Sequence, residues 1–310
     1  MAPAISVRGL AKSFGDVHAV RGVDLEVEAG TVLALLGPNG AGKTTTVEIL
    51  EGFLGPDAGE VRVLGLDPAR QRQVLLERTG IVLQECAVEQ FLTVRETFQR
   101  RASYYRHPRD VPEIIKAVGL EEKAGARVRT LSGGQQRRLD LGLSLVGNPE
   151  VLFLDEPTTG FDPSARREAW EVVHQLASEG LTVLLTTHYM DEAQALADSV
   201  AVIARGRIVA TGTPESIGGR DSGEATVRFG WPAGLASLGE LSLADGASPT
   251  VLDTADGRLV EIRTALPTSV LHRLTAWAVD RGLELERLEV TRPSLEDVYL
   301  SITADEMGAP

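Results

Sequence analysis

Four stretches of the chain are apolar without the alternation of a surface strand: TVLALLG (31–37), EVLFLDEP (150–157), LTVLLTTH (181–188) and SVAVIARG (199–206). Runs of this length and character predict strands buried on both faces of a parallel sheet. Helical periodicity follows the first three, over Lys43–Leu50, Pro163–Ser178 and Asp191–Ala197. Strand, turn and helix repeated in this way predict a three-layer α/β domain. Ahead of them, ISVRGLAKSF and AVRGVDLEVEAG alternate apolar and polar positions, as an antiparallel subsheet does. Between Gln84 and Arg129 the pattern changes. TVRETFQRRASYY and VPEIIKAVGL read as amphipathic helices, so a helical subdomain over about residues 85–145 is expected on the α/β core.

The first domain is expected to end at residue 217, where a polar, glycine-rich linker (218–224) begins, and a second domain follows over 225–310. There ATVRF predicts a strand, and PTVLDTADGRLVEIRTA a hairpin turning at Asp256-Gly257. PTSVLHRLTAWAVDRG predicts a helix with Leu271, Leu274 and Ala278 on one face, Pro267 near its start and Gly282 as its stop. LELERLEV predicts a further strand. SLEDVYLSIT opens with Ser294 and Asp297 at capping-box spacing. Together these describe a small α+β domain of the split βαβ kind.

Composition narrows the class. Of 310 residues, 43% are hydrophobic and 24% charged, as in a globular protein with ample core. The net charge of −13 repels phosphodiester backbones, so nucleic acid is not expected as a partner. One cysteine, Cys86, precludes an intrachain disulfide and suits a reducing compartment. The N-terminus lacks the apolar core of a secretory signal, and the longest apolar runs fall far short of the roughly 20 residues a spanning helix needs. A membrane role is expected through a partner.

The turn after the first apolar run, GPNGAGKTT, holds Gly37, Pro38, Asn39, Gly40, Ala41, Gly42, Lys43, Thr44 and Thr45 and fits G-x-x-x-x-G-K-[ST]. Its glycines let successive N–H groups point inward at a helix N-terminus, which binds phosphate. Lys43 is placed to reach β- and γ-phosphates, and the Thr44 hydroxyl to ligate Mg²⁺. Asp155 and Glu156 end the second run. In a parallel sheet that end faces the crevice of the phosphate loop, where Asp155 holds the metal and Glu156 orients and deprotonates a water attacking the γ-phosphate. His188 ends a third run aimed at the same crevice. The other histidines, His18, His107, His174 and His272, read as ordinary surface or turn residues. A second glycine-rich helix start is RTLSGGQQRRL. Ser132 is an N-cap and Gly133 and Gly134 expose N–H groups, yet no lysine or metal-ligating hydroxyl follows, so alone it makes a poor nucleotide site.

With GPNGAGKT, LSGGQ, VLFLDEP, GFDP and the strand-end histidine in this order, residues 4–217 resemble the nucleotide-binding subunit of an ABC transporter. The stretch GLDPARQRQVLLERTGIVLQ and the C-terminal RPSLEDVYLSIT narrow the likeness to ATP-binding subunits of the daunorubicin-resistance exporters. The resemblance implies a P-loop NTPase of ABC type: a mixed sheet core, an antiparallel subsheet, a helical subdomain and a small C-terminal α+β domain. It implies ATP and Mg²⁺ as ligands, and Gln84 as a metal-site sensor leading into the helical subdomain. Phe14 is then the aromatic on adenine, and Asp162 part of a loop crossing a dimer interface. Phe161 departs from the leucine more usual before that aspartate. Ser132, Gly133, Gly134 and Gln135 of one copy are implied to cap the γ-phosphate held by another, in a head-to-tail homodimer on the cytoplasmic face of a separate polytopic permease that exports drugs or other hydrophobic compounds. The alternatives are a soluble ABC ATPase, as in cluster assembly, and a regulatory nucleotide switch.

Overall fold

Alternation near the N-terminus builds a sheet with one buried face. β1 (Ile5–Phe14) pairs antiparallel with β2 (Val17–Val27), and Ile5, Val7, Leu10, Val23, Leu25 and Val27 lie in the core. β3 (Val32–Leu36) then enters the central sheet and leads to α1 (Lys43–Leu50). The chain returns through β4 (Ala58–Val63), which pairs with the other edge of β1, giving the order β2-β1-β4. The sequence reading did not single out β4, because AGEVRV is short and buries only Val61 and Val63.

The structure, a computed structural model, describes residues 2–82, 88–217, 224–231, 249–254, 257–292, 295–297 and 299. Gln84, Cys86, residues 218–223 of the expected linker, Asp256 and Ser294 lie outside the described residues. α2 (Arg72–Arg78) precedes β5 (Thr79–Val82). α3 (Val94–Ala102) and α4 (Val111–Ala117) are the two expected amphipathic helices, and α3 opens with a capping box between Thr93 and Glu96. α5 (Gly133–Leu145) follows Ser132. β6 (Val151–Asp155), α6 (Pro163–Ser178), β7 (Thr182–Thr187), α7 (Met190–Leu196), β8 (Ser199–Ala204) and β9 (Arg207–Gly212) complete this part.

The central sheet has the order β5-β6-β7-β3-β8-β9. Its first five strands are parallel, and β9 closes the edge antiparallel to β8. The parallel strands are buried on both faces, as their unbroken apolar runs require. One continuous core joins the antiparallel sheet, α1 and the central sheet, with Ile5, Leu10, Leu35, Ile49, Phe153 and Ala201 among its members.

The chain divides at Pro214 and Glu215 into two compact units. In the second, β10 (Ala225–Gly230), β11 (Pro249–Thr254), β12 (Gly257–Thr264) and β13 (Glu289–Thr291) form an antiparallel sheet in the order β11-β12-β10-β13. β12 and β13, joined by α8 (Pro267–Asp280), are separated by β10, which pairs antiparallel with both, and this is the split βαβ arrangement. α8 covers one face, burying Val270, Leu274, Trp277 and Ala278 against Val227, Phe229, Val260 and Ile262. Leu271 packs at the margin of that cluster rather than at its centre. Gly282, at φ 63°, supplies the left-handed stop after α8. The strand expected over LELERLEV is shorter, with pairing confined to Glu289–Thr291.

Phe153 is fully buried at the centre of β6. Phe153→Ala is expected to destabilise the first unit by about 3–5 kcal/mol. Chemical denaturation followed by fluorescence checks this, and a loss under about 1 kcal/mol would show that the sheet closes around the cavity without cost.

Candidate functional site

Strand register assembles the site. β7 lies between β3 and β6, with Leu36 opposite Thr187 and Asp155 opposite Thr186. The turn after Leu36, His188 after Thr187, and Glu156 after Asp155 therefore emerge side by side from the C-terminal edge of the sheet, where open α/β sheets bind ligands. β5, paired at Val82 with Leu154, points its end to the same edge.

The loop Gly37–Gly42 is shaped by contacts that exclude side chains. A Cβ on Gly37 would meet the Ile203 carbonyl oxygen at 2.4 Å, and one on Gly42, at φ +106°, the Ala19 carbonyl oxygen at 2.5 Å. α1 starts at Lys43 with no side-chain cap on its first amides, which leaves N–H donors at the positive end of the helix dipole. Pro38 and Ala41 close the loop through an Ala41 N–H to Pro38 carbonyl bond of 3.1 Å, and Ala41 is itself anchored by the Gly206 N–H. Lys43 is buried, and its Nζ donates to the carbonyls of Gly37 (2.6 Å) and Pro38 (3.2 Å). Burial lowers its pKa, while the charges of Glu156 and Asp155 raise it in opposition. Loop and carboxylates thus share one electrostatic environment. Thr44 is exposed and Thr45 half-buried on the first turn of α1, and Asn39 and Gly40 form the outer tip.

Asp155 accepts a short hydrogen bond from the Thr186 hydroxyl. Glu156 sits at φ 46°, a left-handed conformation that a non-glycine residue holds only when its surroundings enforce it. Its N–H is bound by both the carbonyl and the hydroxyl of Thr186, each at 3.1 Å. The side chain accepts from Thr159 Oγ1 (3.1 Å) and lies 3.2 Å from His188 Nδ1. His188 leans on the Tyr189 ring, with centroids 4.1 Å apart. The structure therefore brings Lys43, Asp155, Glu156 and His188 together. The oxygen donors Thr44 and Asp155 suit a hard divalent cation such as Mg²⁺. Gln84, just beyond β5, lies outside the described residues, and among those described no group of three His, Cys, Asp or Glu side chains forms a metal cluster.

The second glycine-rich start stands apart from this group. Ser132 caps α5 in a reciprocal box: its hydroxyl accepts the Gln135 N–H (3.3 Å), and its N–H donates to the Gln135 side chain (3.1 Å). Gly133 and Gly134 have no positive φ, and a Cβ on Gly133 would meet nothing within 4 Å. Together with Thr159, Gly160, Phe161 and Asp162 they line an open cavity of about 850 Å³ to which no residue of the Gly37–Thr45 loop contributes. Asp162 caps α6, accepting the Ser164 (2.9 Å) and Ala165 (3.0 Å) amides, which hold its pKa below the ordinary value. Phe14, at the end of β1, keeps about half its surface free.

Two supporting residues escaped the sequence reading. Arg137 of α5 donates to the Pro157 carbonyl at 3.0 Å, tying that helix to the segment after Glu156. Thr186 holds both carboxylate residues. Its signal was a hydroxyl inside an otherwise apolar strand, LLTTH, that has no surface reason to be polar.

Residues 20–159 match the family model described as ABC transporter, and residues 225–294 match an ABC transporter domain-containing protein-like C-terminal domain. The chain is 38% identical to the daunorubicin resistance ATP-binding protein DrrA3 of Streptomyces coeruleorubidus, covering 98% of this chain and 96% of that protein. It is 38% identical to the Nod factor export ATP-binding protein I of Rhizobium sp. (strain N33), covering 98% of each. Among solved structures, cbiO1 from Clostridium perfringens, part of the ABC transporter complex cbiONQ, superposes with a TM-score of 0.65. It is 29% identical, over 70% of this chain and 90% of that one.

Behind the site, Glu51 is buried at the end of α1. Burial first, then the charges of Asp155 and Glu48, raise its pKa from 4.5 to about 8. A carboxyl raised on folding is protonated in the native state and ionised in the unfolded one between those two pH values. The native state therefore loses stability as pH climbs from 4.5 to 8, by an amount on the order of 3–5 kcal/mol. Glu51→Gln removes the titration, so the variant's stability relative to wild type should increase with pH across that window, measured by urea unfolding without nucleotide. A difference constant with pH would contradict the assignment.

Proposed function

We propose, on the premise that this chain belongs to the ABC transporter family of ATP-binding proteins, that it is the ATP-hydrolysing subunit of an exporter and works as a head-to-tail pair. The chain is an ABC-type ATPase. The reading of its individual residues is carried by the juxtaposition of Lys43, Asp155, Glu156 and His188 at one sheet edge.

In this reading the phosphates of ATP lie in the Gly37–Thr45 loop, on the free amides of α1, and draw Lys43 Nζ from the Gly37 and Pro38 carbonyls that now hold it. Thr44 and Asp155 would hold Mg²⁺, which would supply the counter-charge to the phosphates, and the family resemblance assigns Gln84 to sensing the same metal. Glu156 accepts the proton of the attacking water as its oxygen bonds to the γ-phosphorus and the bond to the β–γ bridging oxygen breaks. ADP and inorganic phosphate are the products, and the proton passes to solvent. His188, 3.2 Å from Glu156, orients that carboxylate and meets the γ-phosphate. The exposed face of Phe14 stacks on adenine.

Two observations support completion of the site by a second copy. No residue of the phosphate loop lines the cavity at Ser132–Gln135, and a Cβ on Gly133 would meet nothing within 4 Å among the described residues. The start of α5 is thus open to a group from outside, and a phosphate bound to another copy fits its amides. Two-fold symmetry then yields two identical sites. Contact with the γ-phosphate stabilises the closed pair, and its loss after hydrolysis reopens it.

A separate permease is the second partner. Among the described residues no helix is long and apolar enough to cross a membrane. A groove of about 550 Å³ beside β5 and α3 is lined by Phe53, Arg72, Leu76, Arg100 and Tyr104 and suits a short helix of that permease. The near-full-length relatives, a daunorubicin resistance protein and a Nod factor export protein, favour efflux of amphiphilic compounds, with specificity residing in the permease. The second unit serves assembly of the pair or its docking.

Glu156→Gln should keep ATP affinity within about threefold, lower turnover by about 10²–10⁴-fold and accumulate an ATP-bound dimer, read by size-exclusion chromatography and single-turnover hydrolysis. Wild-type turnover in that variant would remove Glu156 from its role.

A further inference from the structure

Glu192, four residues beyond His188 on α7, is fully buried, and none of the roles above uses it. An ionisable side chain is seldom so placed without partners, because desolvation costs several kcal/mol. One of its oxygens, Oε1, accepts two hydrogen bonds, from Thr158 Oγ1 at 2.8 Å and from Trp170 Nε1 at 3.1 Å. Burial also pushes the Glu192 carboxyl above its ordinary pKa.

The three segments joined at this oxygen are those that carry the site. Thr158, itself buried, stands two residues after Glu156, and its carbonyl accepts the Phe161 N–H (3.1 Å) in the turn that delivers Asp162. Trp170 lies on α6, the helix that Asp162 caps. α7 begins immediately after His188, where the Thr187 hydroxyl accepts the Tyr189 N–H at 3.0 Å. Phe161, Trp170 and Glu192 border a narrow cavity with room for only about 20 Å³, so the junction has little room to rearrange. The outer surface of the same junction is held by Arg166, which donates to Asp191 (3.0 Å) and stacks 4.3 Å from the Tyr189 ring.

We infer that Glu192 is a positioning residue for ATP hydrolysis: it holds the loop from Glu156 to Asp162 in one register with the helix that follows His188. This rests on the roles assigned above to Glu156 and His188. A displacement of His188 on meeting phosphate is then passed through Glu192 and Thr158 to Asp162, which faces the partner copy's site. Glu192 touches no reacting atom. Its effect is on the geometry of the Glu156–His188 pair, and misplacement of a reacting group by about 1 Å costs on the order of 100-fold in rate.

The test measures kcat and KM for ATP in the full chain for Glu192→Ala, Glu192→Gln, Thr158→Val and the double variant Glu192→Ala/Thr158→Val, with Glu156→Gln as reference. Glu192→Ala and Thr158→Val should each lower kcat by about tenfold or more, with KM within about twofold of wild type. The double variant should be no worse than Glu192→Ala, because both changes remove one contact. Glu192→Gln keeps an acceptor oxygen for Thr158 and Trp170 and should stay within about threefold of wild type. Thr158→Val is nearly isosteric and decides the matter if Glu192→Ala fails to fold. Unchanged kcat in Thr158→Val, additive losses in the double variant, or a raised KM at full kcat would each overturn the inference. If any of these occurs while Glu156→Gln abolishes turnover, Glu192 is misassigned and the site stands. Full turnover in Glu156→Gln overturns the underlying reading instead.

Discussion

Strand β7 lies between β3 and β6 in a parallel register that sets Leu36 against Thr187 and Asp155 against Thr186. All the chemistry at the sheet edge depends on that alignment. A slip of one residue in β7 would turn Thr186 to the opposite face and free both carboxylate residues at once. Burial alone does not set the register, because β3, β6 and β7 are buried on both faces; the pairing observed is the one in which the Thr186 hydroxyl reaches the Asp155 side chain and the Glu156 N–H, so that these polar groups are satisfied. The polar hydroxyls of Thr186 and Thr187 are tolerated in that interior because each is spent on a hydrogen bond at the strand's end.

Around this edge the protein concentrates charge that water does not shield well. Lys43 is buried and feels Glu156 and Asp155, and Glu51 is kept neutral first by its own burial and then by the charges of Asp155 and Glu48. In so acidic a neighbourhood an incoming triphosphate needs a counter-charge beyond one ammonium, which is the physical reason a divalent cation belongs to the reading. The left-handed Glu156 stores local strain, offset by the two bonds its N–H donates to Thr186 and by the bond its carboxylate accepts from the Thr159 hydroxyl.

Much of this could be read from the chain. The four unbroken apolar runs are the parallel strands β3, β6, β7 and β8, and the helices after them fall within a residue of their expected bounds. β4, β5 and β9 went unannounced because none carries a long unbroken apolar run: β4 buries only Val61 and Val63, β5 spans only four residues, and β9 has no fully buried residue. LELERLEV alternates like a strand, yet only Glu289–Thr291 pairs, because alternation says nothing of whether a partner edge is within reach. For the site, motif spacing located Lys43, Asp155, Glu156 and His188, while Thr186, Arg137 and Glu192 stayed hidden. Their importance lies in which backbone and side-chain groups they touch, and such contacts have no periodicity to betray them.

The central claim is that one working site takes its phosphate loop from one chain and its Ser132–Gln135 cap from another. Mixing two inactive chains, Lys43→Ala and Ser132→Arg, tests it directly. In a mixed head-to-tail pair both lesions fall in one site and leave the other intact, so single-turnover ATP hydrolysis should reappear. It should saturate at no more than one nucleotide per mixed pair. Hydrolysis that stays at the level of the separate variants, with mixed pairs shown to form, would contradict the account and return the cap to its own chain.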